Sequence, residues 1–474
     1  MKLDLQKAYD QVSWNFLKSV LENFGFSHIF IGWIMECIST VSFLTLINGR
    51  MTKYFKPTRG LRQGDPISPY LFILCQKVLS TIIDREFLNG AIKGVKVNVV
   101  GPSFRHVIYA DDIMVFAKAN CREVKVLNEC LDTYCAWLGE KINRAKSSVI
   151  FSKLVVLDKR RELKNLLNMK KVHPNVKYLG SPLFHSSSKI KDYKFLQEKL
   201  ESRLLRWHCK ALSWAVRATL IKLVALALPT YTFSSTDVPV TICDKMDAAV
   251  RHFWWNPSSN SCRFLAWKAW TDLCVLRSYG GLGFRKAKHL NDAILAKLTW
   301  LVVSSRNSPC MITLRSKYKV HGDWMKKEPP KNSSSTWKAI ERLKAIICKG
   351  TCFTIEDAIC KISLPLALVP DKLSWISDPK KVFSVNSVYK TSLCHRWVTN
   401  PESCWKSLWK SKMHERLKTL VWRIGSGALP TNLNVFSRLS KGNPTCPLCG
   451  LDVEYVPHLF FKCRDTRMFW FGPS

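Results

Sequence analysis

The sequence predicts an α+β fold in three parts: a sheet layer backed by helices, a helical basic stretch, and a small metal-binding end. Three observations support this. Strand-like and helix-like segments interleave over residues 1–185. Residues 189–301 read as mostly helical, with many Trp and many Arg or Lys. Near the C-terminus, Cys446, Cys449, His458 and Cys463 stand at metal-ligand spacing.

Each element has its own signal. Residues 10–24 carry Val12, Leu17, Val20, Leu21 and Phe24 at helical spacing, with Ser13 as an N-cap. Residues 43–48, followed by Gly49, read as a strand entering a turn. After the Gly/Pro-rich residues 57–69, an apolar helix starts near Ser68 and runs to about Phe87. His106-Val107-Ile108 and Ile113-Met114-Val115-Phe116 flank Tyr109-Ala110-Asp111-Asp112 as strand, tight turn and strand. A helix follows over 121–138, and the short apolar segment Val176 to Gly180 closes the region. Residues 186–188 mark a soft boundary and 326–335 a linker.

Composition narrows the function. Lys plus Arg number 73 against 35 Asp plus Glu, a formal +38 spread along the chain rather than held in one tail. A broadly basic globular protein most often meets a polyanion, and nucleic acid is the commonest one. The alternatives are a ribosome-associated or membrane-surface protein. No stretch reaches the ~18 uncharged apolar residues of a membrane span. The start, Met1-Lys2-Leu3-Asp4, has no apolar signal-peptide core. The expected location is therefore nuclear or cytoplasmic, with most of the 18 cysteines reduced.

Chemistry is expected first at Asp111 and Asp112. Adjacent carboxylates at a hairpin tip repel each other, and a bound cation offsets that repulsion. Two Mg²⁺ ions about 4 Å apart are the usual device for moving a phosphoryl group. Asp4, at the end of a strand, is the candidate third acid; taken alone it reads as an N-terminal capping acid. Tyr9 could close the floor of a nucleotide pocket against a 2′-hydroxyl, or be an ordinary half-buried tyrosine. In Gly60-Leu61-Arg62-Gln63-Gly64-Asp65-Pro66, glycines let the backbone approach a ligand and Arg62 and Gln63 supply donors. Cys446-x₂-Cys449 with His458-x₄-Cys463 fits a tetrahedral structural zinc site of three thiolates and one imidazole. Trp207, Trp214, Trp254, Trp255, Trp267 and Trp270 alternate with Arg203, Arg206, Arg217, Arg251 and Arg263. Such a pattern either tracks a phosphate backbone or forms a core stripe.

Taken together, these segments resemble a reverse transcriptase of the non-LTR (LINE-type) retrotransposons, plant type. The family pattern D-x-x-x-A-[FY]-D stands here as Asp4 to Asp10. R-Q-G-[DC]-P-x-S-P-x-L-F stands as Arg62 to Phe72, and [FY]-A-D-D as Tyr109 to Asp112. Gly139 to Ser147 looks like the next family segment, and Tyr178-Leu179-Gly180 like the one after it. Chance agreement across all five, in order, is remote. The residues around Trp409, Trp422-Arg423, Leu429-Pro430 and Phe461 resemble the zinc-binding region that follows the polymerase.

The resemblance implies a right-hand polymerase palm over 1–185, an antiparallel sheet backed by helices. It also implies a helical thumb and connection over 186–325, a linker over 326–384, and a zinc-binding domain over 385–474. Asp4, Asp111 and Asp112 would be the catalytic ligands of two Mg²⁺ ions. Tyr9 would exclude ribonucleotides, and Arg62, Gln63 and Gly64 would touch template and incoming nucleotide. Lys146 is either a proton donor to pyrophosphate or a solvated lysine after a loop. One structural Zn²⁺ would hold a nucleic-acid-binding module together. The partners implied are an RNA template, a DNA primer and deoxynucleoside triphosphates. Only three residues precede Asp4, too few for the strand that should position it, and the family's fingers region is not seen before it. The expectation is an N-terminally truncated RNA-directed DNA polymerase with impaired activity. The alternatives are a non-enzymatic nucleic-acid-binding remnant and a decayed reading frame that is not translated.

Overall fold

The computed structural model describes residues 1–171, 176–184, 186, 188–208, 212–256, 264–304, 306–321, 324–326, 328, 333–354, 372–393 and 403–472. The chain divides into two compact units: Met1–Phe184 with Asn307–His321, and His185–Arg306 with Gly322–Ser474. Arg263 and half of the expected 326–335 linker (residues 327 and 329–332) lie outside the described residues.

The first unit is built on a five-stranded sheet: β1 Lys2–Asp4, β2 His106–Tyr109, β3 Asp112–Val115, β4 Ser148–Val149 and β5 Lys170–Lys171, in the order β2-β3-β1-β4-β5. Three residues do make the strand that Asp4 needs. β1 sits at the centre because neighbours on both sides satisfy its backbone: it pairs antiparallel with β3 as Leu3 opposite Ile113, and with β4 as Lys2 opposite Ser148. Val115 N donates to Met1 O at 2.9 Å and extends the ladder. Strand alternation then puts Leu3, Ile113 and Val115 on the fully buried face, and Lys2, Asp4 and Asp112 on the other.

The sheet is antiparallel except at one edge. β4 and β5 run parallel because the helix Leu157–Leu167 crosses over between them, the connection that parallel strands require. The buried face is covered by α1 Trp14–Asn23, α2 His28–Ser39, α3 Ser68–Leu88, α4 Cys121–Leu138 and α5 Leu157–Leu167. Leu17, Leu79, Ile83, Leu127 and Leu163 join Leu3 and Ile113 in one core. Ser13 caps α1 as the sequence predicts, its side chain accepting from Phe16 N. The expected 43–48 strand shrinks to Leu46–Ile47, which pairs with Arg50–Met51.

The second unit is helical, with two cores among the described residues. In one, Tyr193, Leu196 and Leu200 of Lys189–His208 pack with Val250, Phe253 and Trp254 of Val240–Trp255, and with Leu408, Trp422 and Ala428. Part of the expected C-terminal zinc-binding domain therefore shares a core with the helical stretch before it. In the other, Ala293 and Ala296 of Ala287–Val303 pack against Leu343, Ile347, Trp375 and Tyr389. No helix among the described residues is long and apolar enough to cross a membrane.

Candidate active site and metal centre

The three acids meet at one edge of the sheet. Asp4 ends β1 and Asp112 begins β3, and the register sets them directly opposite one another. Such partners lie about 5 Å apart at Cα, with side chains on one face. Tyr109 pairs with the same Asp112 across the hairpin, leaving Ala110 and Asp111 as a two-residue turn. Ala110 takes φ +49, a left-handed conformation that strains a residue with a Cβ by about 1 kcal/mol. Asp111 is exposed at the tip, whereas Asp4 and Asp112 are half-buried.

The environment of this edge is only lightly neutralised. Lys2 Nζ lies 3.6 Å from Asp112 Oδ1 and donates to Lys177 O at 2.9 Å. The Tyr178 hydroxyl donates to Asp112 O at 3.4 Å. Sequence reasoning missed Lys2, yet a readable signal was present, because a residue two before Asp4 shares its strand face.

Two further motif segments flank the same place. Leu61 N donates to Tyr9 O at 2.7 Å and Gly60 N to Val12 O at 2.8 Å, so the 60–64 loop lies along the chain that leaves β1. Gly60 is the position of close approach: a Cβ there would stand 2.7 Å from Asp10 O, at φ +91. Gly64, at the same φ, has open space around it, so backbone conformation rather than crowding calls for glycine there. Gln63 Nε2 donates to Asp10 Oδ1 at 3.4 Å, while Arg62 is exposed. The loop lines a cavity of about 520 Å³ with Asp10, Arg59, Phe43 and Phe55. The amide after it, Ile67 N, already has an acid beside it, Asp65 Oδ1 at 3.1 Å. Tyr9 stacks on Phe72 with centroids 4.8 Å apart. Burial first, and then the Asp111 carboxylate, push its phenol up.

On the other side of β1, Asp4 N donates to Ser147 Oγ at 3.0 Å and Asn143 N donates to Asp4 O at 2.8 Å. This fixes the 139–147 segment beside the acids. Lys146 is exposed, its backbone N bonded to Asn143 O. Beneath, Glu140 is buried with neither carboxylate oxygen hydrogen-bonded, and burial pushes its carboxyl up to about 8.

In the second unit the four predicted ligands come together. The donor atoms of Cys446, Cys449, His458 and Cys463 all lie within 4.8 Å of one another. A tetrahedral ion with bonds of about 2.0–2.3 Å needs donors about 3.5 Å apart, so the set fits with little movement. Gly450 N donates to Cys446 O at 2.9 Å and Cys463 N to His458 O at 2.8 Å, so tight turns set the spacing. His458 Nδ1 lies 3.4 Å from Asp452 Oδ2. That approach is not a hydrogen bond, but it puts a carboxylate beside the ring nitrogen that faces away from Cys449, which lies 3.4 Å from His458 Nε2.

The Trp and Arg alternation resolves largely into core. Trp254, Trp255 and Trp270 are buried, and Trp207, Trp214 and Trp267 pack against them. Arg217 is buried too, bonded to Asn256 O at 3.2 Å and to Phe253 O and Trp254 O at 3.5 Å; it caps a helix end and is not free for phosphate. Arg423 lies 4.3 Å over Trp214, and Arg277 4.3 Å over Trp409. Arg203, Arg206 and Arg251 are exposed.

Comparison with known proteins finds two family matches in the chain. Residues 1–183 match the family described as reverse transcriptase (RNA-dependent DNA polymerase), and residues 383–470 match zinc-binding in reverse transcriptase. An Arabidopsis thaliana protein named for ribonuclease H is 27% identical over 341 residues, 58% of this chain and 54% of its own length. A 149 kDa protein of transposon TX1 of Xenopus laevis is 26% identical over 225 residues, 47% of this chain and 16% of its own. The Pol polyprotein of the Drosophila melanogaster element R2DM is 28% identical over 145 residues, 30% of this chain and 13% of its own. The chain thus spans about half the length of the first of these and less of the others.

Proposed function

Because the chain belongs to the non-LTR (LINE-type) retrotransposon reverse transcriptases and carries their zinc-binding region, we propose that its first unit is a polymerase palm performing RNA-directed DNA synthesis. The observation that carries this reading is the register that sets Asp4 opposite Asp112 beside the Asp111 tip. Hard oxygen donors at the solvent-facing end of these strands, with Lys2 as one nearby counter-charge, suit a pair of Mg²⁺ ions held by Asp4, Asp111 and Asp112. When bound, such ions activate a primer 3′-hydroxyl and neutralise the leaving pyrophosphate. The protein's own residues do the rest. The β1–β3 pairing fixes the acids, and Tyr9 on Phe72 forms a flat wall that would exclude a 2′-hydroxyl. Arg62 and Gln63, exposed at the loop, would contact template and incoming nucleotide. Lys146 would give its proton to pyrophosphate.

In the second unit, the Cys446–Cys449–His458–Cys463 set would hold one Zn²⁺ that maintains the fold. The helical stretch would act as thumb and connection, with the exposed Arg203, Arg206 and Arg251 making salt-sensitive contacts to a primer–template duplex. The test is extension of a DNA primer on an RNA template by the whole chain, with Mg²⁺ or Mn²⁺ supplied. Asp111→Ala is expected to lower extension at least about a thousandfold, in line with loss of charge stabilisation at the transition state. Extension unchanged in Asp111→Ala would overturn the assignment.

A further inference from the structure

A cavity of about 570 Å³ opens between α3 and β2; Ala110 of the hairpin turn reaches it, but Asp4, Asp111, Asp112 and the Cys/His set do not line it. Helix α3 presents Ile73, Gln76, Lys77, Ser80 and Asp84 to it, one face at helical spacing. Gln76 is only 4% exposed, yet among the described residues neither its amide nitrogen nor its amide oxygen has a hydrogen-bond partner. His106 Nε2 lies 2.8 Å from Ser80 Oγ, while its Nδ1 is buried and also without a partner. Burial lowers the tendency of this imidazole to charge, so the site is neutral at its floor. Leaving such groups unpaired is costly, and a matching ligand edge would recover that cost.

The walls and rim limit what that ligand can be. Pro102, Phe104, Val107, Ile108 and Pro309 supply apolar surface. Arg105 is already engaged, 3.2 Å from Asp84 and 4.3 Å over Phe87, and exposed Lys77 stands at the rim. Among the described residues that line the cavity, Lys77 is the one cation not already paired, which does not suit a triphosphate. A carboxamide instead pairs with a planar edge that places a donor beside an acceptor, and adenine offers N6–H₂ next to N7.

We propose that this cavity binds a nucleobase, adenine foremost, with Gln76 reading its edge and His106 supplying a further hydrogen bond. The inference does not rest on polymerase activity. The whole chain, metal-loaded, is dialysed to equilibrium against labelled adenosine, 7-deazaadenosine and a short oligoadenylate. Adenosine is expected to bind, with at least about tenfold weaker binding by 7-deazaadenosine or by Gln76→Leu, since a bidentate pair is worth 1–3 kcal/mol. Adenosine competing as well as the oligomer assigns a free ligand, and a tighter oligomer assigns a base presented by a strand. His106→Phe provides a second variant should Gln76→Leu fail to fold; it too is expected to weaken binding. Asp111→Ala should leave adenosine affinity within about twofold, separating this cavity from the acid site. The proposal is overturned if adenosine shows no saturable binding, if binding is indifferent to both cavity variants, or if Asp111→Ala abolishes it.

Discussion

The acid edge of the first unit and the Cys/His set of the second both gather ionisable groups, and they do so in opposite ways. Asp4 and Asp112 are placed by backbone pairing in the central strands of a sheet whose other face is a hydrophobic core. Their scaffold stands without an ion, and the carboxylates stay half-solvated. Cys446, Cys449 and His458 come from loops and short turns, with Leu448, Leu451, Phe461, Phe469 and Trp470 exposed around them. On the proposed reading, an ion held by these residues would supply what a core does not. One site is scaffold first and the other metal first.

The largest expected effect tests the second half of that contrast. Chelation, or Cys446→Ser, should abolish hydrogen-exchange protection across 432–471, since structural zinc contributes on the order of 10 kcal/mol to such modules. The loss should stop before about residue 430. Trp422 donates Nε1–H to Gly280 O at 2.8 Å, and Leu408 and Ala428 belong to a separate apolar core. Protection over 432–471 that survives chelation would dissolve the distinction.

Next in size is the sheet. Leu3 is fully buried between neighbours on both sides, so Leu3→Ala should destabilise the first unit by about 3 kcal/mol in a denaturant titration. A change below about 1 kcal/mol would mean that β1 is not the keystone of the acid edge. This strand also shows what the sequence could and could not reveal. The helices over 10–24, 68–87 and 121–138, and the hairpin around Asp111, were legible from spacing and turn residues. A strand ending at Asp4 was expected but judged too short to form, because three residues carry no period and the pairing of Leu3 with Ile113 links positions more than a hundred apart. Spacing likewise singled out the four Cys/His side chains that the fold gathers, but not Asp452, which only the folded chain brings to 3.4 Å from His458 Nδ1. Arg217 stood open between phosphate contact and core for the same reason: only the folded chain shows it capping a helix end.

A pH tilt sharpens the contrast from within the first unit. Glu140 is buried with no partner, beside Cys75, Tyr134 and Cys135, whose own acidities burial and Glu140 both suppress. Where the Cys/His set would use a metal, this site would use a proton. With the carboxyl raised to about 8 from 4.5, the folded state binds more protons than the unfolded one between those values. Stability from this group is full below about pH 4.5 and is lost as the pH rises towards 8. Thermal melts across that range should therefore show a slope that Glu140→Gln removes, with the variant gaining most at the alkaline end. Parallel slopes in the two proteins would place the carboxylate in contact with water.

The smallest stability effect should come from the residues that matter most to the proposed chemistry. Like charges directly opposite in a sheet destabilise it by roughly 0.2–1 kcal/mol, and Lys2 at 3.6 Å offsets part of that at Asp112. Asp112→Asn removes one of the opposed charges and keeps the shape, so the melting midpoint should stay level or rise slightly in metal-free buffer. Added Mg²⁺ should then stabilise the parent and not the variant, because an ion that binds only the folded acid edge shifts its unfolding by mass action. A scaffold-first site requires both results together: indifference to the substitution without the ion, and sensitivity to it with the ion. A variant that melts well below the parent in metal-free buffer would show that Asp112 holds the sheet together, and would move the acid edge into the same class as the Cys/His set.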